Sequence, residues 1–208
     1  MKNKLFIITI ILTLLGNVSN AENFNYDYVE LRIGTTNSDA NEKEIYGFAS
    51  KSINNNFSIR GGFYYSYGDW TKNGKYREQD GKGFSLEGVF NKEISSNTDL
   101  VISTGYSLFS AKSICTSLSR VCSTSSNTSN ETNIYTASIG FKQKLSSSIL
   151  MEAHYRGIEF EEATTGVTQG NLILMKELSD TISIGIDYSW NITRNDFNRT
   201  MVILRREF

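Results

Sequence analysis

Polar and apolar residues alternate with a period of two along most of the chain, and the i, i+3, i+4 spacing of an amphipathic helix does not recur. In "YVELRIG", Val29, Leu31 and Ile33 oppose Tyr28, Glu30 and Arg32. In "FSIRGGFYYSYGDW", Phe57, Ile59, Phe63, Tyr65 and Tyr67 oppose Ser58, Arg60, Tyr64 and Ser66. In "TISIGIDYSW", Ile182, Ile184, Ile186, Tyr188 and Trp190 oppose Ser183, Asp187 and Ser189. Each apolar face runs for about ten residues, the length with which a tilted strand crosses a bilayer.

The connections repeat as well. "KSINNNF", "KEISSNTDL", "KLSSSI" and "KELSDTI" each set a lysine (Lys51, Lys92, Lys144, Lys176) before a short Ser/Asn/Asp turn and an apolar restart. Between them lie longer polar segments: "TTNSDANEK", "GDWTKNGKYREQDGKG", the Ser/Thr/Asn-rich stretch 111–132, "EEATTGVTQ" and "TRNDFNR". Short turns alternating with long loops are the pattern of a spanning barrel, turns periplasmic and loops outside. The pattern predicts ten strands, at 25–34, 43–52, 57–68, 82–92, 98–110, 133–144, 149–160, 169–177, 181–192 and 198–208. The second and eighth are the least regular, because "IYGFASK" and "LILMK" do not alternate cleanly; without one pair the count is eight.

Alternation does not say which face points inward. One face is rich in large residues and nearly free of charge. The other collects Glu30, Arg32, Arg60, Glu87, Lys142, Glu152, His154, Arg156, Asp187, Arg205 and Glu207. A basic residue facing lipid at the midplane costs about 2–4 kcal/mol, whereas inside a closed barrel it can pair. Open sheet edges do not exist in lipid, so the last segment, "TMVILRREF", is expected to pair with the first and set Phe208 at an interfacial aromatic girdle.

Composition narrows the picture. "MKNK", the apolar "LFIITIILTLL" and "SNA" read as a secretory signal over 1–21, leaving a single barrel domain over 22–208. Apolar runs elsewhere reach only four residues, as in Leu172–Met175, so no transmembrane helix is predicted. A formal net charge of −1 gives no reason to expect nucleic acid as a partner. There are 16 Gly, 12 Phe and 11 Tyr but no Pro, where average usage gives roughly ten; proline is excluded from interior strands. Cys115 and Cys122 are expected to form a local disulfide in an oxidising compartment, and with a single histidine they make no metal site.

These residues resemble the small outer-membrane β-barrel superfamily of Gram-negative bacteria, which includes opacity-type adhesins and serum-resistance barrels. The resemblance is carried by the signal peptide, Gly/aromatic strands such as "GGFYYSYGD", the turn "SINNNFSI" and Phe208. It implies a location in the outer membrane and partners among its lipids and lipopolysaccharide. It also implies that Phe208 is read by the outer-membrane assembly machinery. One departure is Arg206, where the family often has an aromatic or aliphatic residue; near headgroups an arginine can snorkel.

For chemistry, "MEAHYRG" puts Glu152, His154 and Arg156 on one face. The acid-x-His spacing is loosely similar to omptin proteases, and a lone His to lipid A deacylases, but neither full set of partners is present. A base without its nucleophile performs no covalent chemistry. The expectation is therefore no catalysis, no cofactor and no metal. Glu30, Arg32, Arg60, Glu87, Glu152, His154, Arg156 and Asp187 are instead expected to form a luminal ion-pair network that fills the interior. The other functional surface is the loops. Trp70, Lys72, Lys75, Tyr76 and Arg77 in the second suit a host protein, a glycan or lipopolysaccharide phosphates. The resulting expectation is a structural or surface-interaction barrel of adhesin or immune-evasion type. A narrow small-solute channel is the alternative, and a barrel hydrolase the third reading.

Overall fold

The computed structural model describes residues 24–37, 42–72, 75–117, 128–161, 166–193 and 198–208, with the side chains of 70–77 and 113–130 outside that description. The signal segment 1–21 and the Cys115–Cys122 pairing fall outside it. Among the described residues ten strands form: β1 (Tyr28–Asn37), β2 (Glu42–Asn54), β3 (Phe57–Lys72), β4 (Lys75–Ser95), β5 (Thr98–Ser117), β6 (Thr128–Ser146), β7 (Ile149–Phe160), β8 (Val167–Glu177), β9 (Ile182–Asn191) and β10 (Asn198–Glu207). Each pairs antiparallel with the next, and β1 pairs with β10, closing the barrel.

The alternation decides which way each face turns. On β1, Val29, Leu31 and Ile33 are exposed while Tyr28, Glu30 and Arg32 are buried. The same division holds on β9 and β10, where Ile184, Ile186, Val202 and Leu204 face out and Asp187, Met201, Ile203 and Arg205 face in. An exterior of this kind is stable only against acyl chains, so the barrel is a transmembrane one. Its seam has a fixed register: Leu31 lies opposite Leu204, and Glu30 opposite Arg205.

The turns are built from the side chains the sequence supplies. The Asn54 side-chain oxygen accepts from the backbone N–H of Asn56 and of Phe57, both at 3.0 Å, an Asx turn that tightens the β2–β3 link. Equally short turns join β4 to β5 at 96–97 and β6 to β7 at 147–148. We call this the turn end of the barrel.

Three expectations need correction. Residues 25–27 do not belong to the first strand, which begins at Tyr28; Phe24 and Tyr26 turn into the barrel instead and are buried there. The second polar segment is not a free loop. β3 and β4 continue through it, pairing Trp70 with Arg77 and Lys72 with Lys75. The third is likewise mostly ladder, since β5 runs to Ser117 and β6 starts at Thr128. Beyond the bilayer both faces of a strand meet water, so the alternation ends there while the backbone hydrogen bonds continue. The wall is therefore uneven: β4, β5 and β6 have 21, 20 and 19 residues, against 10 in each of β1, β9 and β10.

At the turn end, just before β1, Asp27 accepts from the Lys51 ammonium and, at 2.6 Å, from the backbone N–H of Ser52. The Lys51 hydrogen bond holds the Asp27 carboxyl below its ordinary value of 3.8. A depressed folded-state pKa adds stability above the unfolded value, and that stability is lost as pH falls through the folded one. The difference in urea midpoint between wild type and Asp27→Asn should be small but constant near neutrality and fade in acid as pH falls through the lowered Asp27 value. A difference that persists in acid would show that geometry, not charge, anchors the segment.

Candidate functional site

The inward face forms a connected polar core. Arg205 on β10 is 1% exposed. Its Nη2 lies 2.6 Å from Glu30 Oε2 on β1, and its Nη1 lies 3.0 Å from Glu152 Oε1 on β7, so one guanidinium ties the closing seam to a strand three places along the wall. Its carbon Cζ stands 4.4 Å from the centre of the Tyr28 ring. Arg32 continues the chain of pairs, with Nε 2.6 Å from Glu30 Oε1 and Nη1 on Asp187. Asp187 also accepts from Asn171 and, at 3.1 Å, from the Ser189 hydroxyl. Fully buried carboxylates such as Asp187 demand this density of donors, because an unpaired buried charge is expensive.

A second cluster lies on the β3–β4–β5 wall. Arg60 pairs with Glu87, with Nε 2.7 Å from Oε2, and Ser103 donates to Glu87 Oε1. His154 has Glu152 as its partner, Nε2 to Oε2 at 3.7 Å, and its buried Nδ1 has none among the described residues. Of the residues read from the sequence, Arg156 stands apart: its buried Nε has no partner, and no ion pair joins it to a carboxylate among the described residues. Between these groups lies a cavity of about 30 Å³ lined by Ser58, Arg60, Ser103, Ser138, Lys142, Glu152 and His154, room for one or two waters and far too small for a substrate. Among the described residues no hydroxyl is hydrogen-bonded to His154.

The sequence reading missed several members. Glu44 accepts from the Thr36 hydroxyl at 2.8 Å and lies 3.9 Å from Arg199, which also donates to Tyr46 and Ser189. Both shared the inward parity of their strands, which was the available signal. Tyr46 and Phe48 explain why β2 looked irregular. They are luminal aromatics, with Arg199 over Tyr46 at 5.2 Å and Arg32 over Phe48 at 5.4 Å. Tyr46 stacks on Tyr64 and Tyr64 on Phe109; a Cβ at Gly83 would come within 2.4 Å of the Tyr64 ring. Glycine there lets the ring lie flat against the wall.

The turn end is stopped by the segment before β1. Phe24 and Tyr26 join Leu150, Ile173, Met175 and Ile203 in the apolar cluster of the interior, which is also why β8 carries apolar residues on both faces. The Tyr26 hydroxyl donates to Asp99 at 2.9 Å. The buried Lys142 ammonium stands 4.7 Å from the Tyr26 ring and 5.0 Å from Phe24, and donates to the Asn25 carbonyl at 3.4 Å. The segment is thus held by packing, cation–π contact and hydrogen bonds together. Of the loop residues, Trp70, Lys72, Lys75, Tyr76 and Arg77 sit on the raised β3–β4 ladder. Phe208 donates its N–H to the Asp27 carbonyl at 3.2 Å and leaves its ring exposed.

Ten tilted strands closed on themselves, with an apolar exterior and an ionic interior, define an outer-membrane type of β-barrel. No family model and no curated protein matches the chain. Among solved structures it is similar to the NanC porin, with a TM-score of 0.53 at 9% identity over 86% of this chain and 100% of that one. It is also similar to the translocator domain of the autotransporter NalP from Neisseria meningitidis, with a TM-score of 0.54 at 10% identity over 100% of this chain and 95% of that one. At such identities the likeness is one of fold.

Proposed function

We propose that the protein is an integral outer-membrane barrel whose work is structural and at the surface, with its turn end in the periplasm and the raised β3–β6 hairpins outside. The observation that carries this reading is the filled interior. Arginines and carboxylates interlock across the lumen, and Phe24 and Tyr26 stop one mouth. A conducting pore needs a continuous wet path lined to favour an ion; here opposed charges satisfy one another. The reading assigns no enzymatic activity, because among the described residues His154 has a carboxylate partner and no hydroxyl bonded to it. It takes outer-membrane lipids, lipopolysaccharide and the assembly machinery as partners in the membrane, and a host protein or glycan as partner of the hairpins.

Two measurements test it. Purified barrel in planar bilayers should give no discrete current steps; steps in the wild type would favour the narrow-channel alternative. For the surface role, residues 118–127 should be removed and β5 and β6 joined by a short turn, leaving the Ser113–Thr128 pairing intact. Cells carrying this variant should bind epithelial monolayers and matrix-coated wells several-fold less than wild type, with unchanged heat-modifiable migration. Equal binding would exclude that hairpin as the adhesive element.

A further inference from the structure

The outward face between the closing seam and β3 is not a uniform belt. Gly47, Ala49 and Gly61 form the floor of an apolar groove of about 450 Å³, walled on the seam side by Val29 and Leu204 and ending at Arg206. Arg206, Val29, Ala49 and Gly61 lie in one row across β10, β1, β2 and β3. The row spans roughly 14 Å at the spacing of neighbouring strands.

The protein itself accounts for part of this floor only. A Cβ at Gly47 would strike the Phe63 ring at 2.4 Å, so that glycine serves internal packing. A Cβ at Gly61 would meet nothing nearer than a backbone carbonyl at 3.9 Å. The space over Gly61 is therefore left for something outside the chain. At the groove's end Arg206 points outward without a carboxylate partner among the described residues, whereas the nearby Lys51 is taken by Asp27. The groove is thus apolar along its length and cationic at one tip, which lies at the turn end.

We infer that this groove holds one phospholipid of the periplasmic leaflet, its acyl chain laid over the Ala49–Gly61 floor and its phosphate on the Arg206 guanidinium. Charge complementarity chooses this occupant. A guanidinium beside headgroups gains a charge-assisted hydrogen bond from a phosphate. A second copy docked groove to groove would set against Arg206 a lining whose outward members are apolar or cationic, with no acid to neutralise it. The inference rests on the transmembrane placement of the barrel but not on the surface role of its hairpins.

The test is native mass spectrometry of the full chain after extraction from phosphatidylethanolamine–phosphatidylglycerol vesicles, at detergent levels that strip bulk lipid. Wild type should retain one phospholipid per barrel. Gly61→Phe, which fills the groove, should cut retention at least ~10-fold, and Arg206→Gln should cut it several-fold. Ala49→Leu is a second filling variant should Gly61→Phe lose its heat-modifiable migration. A wild type that emerges free of lipid, or filled variants that keep it, would overturn the assignment. So would a loss of dimer in place of lipid on filling, because the occupant would then be another copy.

Discussion

Replacing Arg205 with alanine should destabilise the barrel by about 3–5 kcal/mol, the range for removing one partner of a buried ion pair and stranding the other. Two carboxylates would each lose a cation here, because Arg205 serves both Glu30 and Glu152, leaving Glu30 with Arg32 and Glu152 with the longer His154 contact. The substitution also opens the seam, since Glu30 and Arg205 are opposite one another in the closing register. Unfolding in urea in the presence of lipid vesicles, followed by tryptophan fluorescence and heat-modifiable migration, measures the loss. The control is the triple variant Glu30→Gln, Glu152→Gln and Arg205→Met, which removes the three charges together. It should recover much of the loss, because well-packed neutral replacements of buried pairs are often close to neutral. A single variant within about 1 kcal/mol of wild type would mean that lysine or arginine neighbours take over the pairing.

The second large effect concerns the stopper at the turn end. Phe24→Ala with Tyr26→Ala should convert a silent barrel into one that passes discrete currents. Both rings leave the apolar cluster, Asp99 loses its tyrosine donor, and Lys142 loses the two ring faces that shield its ammonium. Water should then reach the Lys142–Glu152 layer from below. Tyr26→Phe separates the contributions, because it keeps the ring and removes only the hydroxyl bond to Asp99. It should remain silent. Continued silence in the double alanine variant would show that the ion network above seals the interior by itself.

How much of this could be read along the chain depends on what each residue faced. β1, β3 and β9 were legible because lipid on one side and ion pairs on the other force a clean alternation, and their bounds shifted by only a few residues. The irregular strands had a reason. β2 turns Tyr46 and Phe48 inward beneath arginines, and β8 turns Ile173 and Met175 inward against Phe24 and Tyr26, so apolar residues occupy both faces. The ladder above the membrane was not legible, because polar residues on both sides look like loop. Pairwise partners were not legible either. Parity placed Glu30, Arg32, Glu152 and Asp187 on the inner face, but only the barrel's register brings Arg205 between Glu30 and Glu152 while leaving Arg156 without an ion pair among the described residues. The inward turn of Phe24 was hidden because "FNYDY" alternates as well as any strand.

The unequal strands have a directional consequence. β4 exceeds β9 by 11 residues, which raises one flank roughly 25–30 Å above the other for a strand tilted as barrels require. Instead of a ring of equivalent tips, the described strands form a parapet over β4–β6 with a low ladder at β9, β10 and β1. Anything approaching along the bilayer normal meets that parapet first, while a neighbour sliding in laterally meets, among the described residues, only the short ladder of β9, β10 and β1. Contacts from above and contacts from the side are thereby assigned to different halves of the same small barrel.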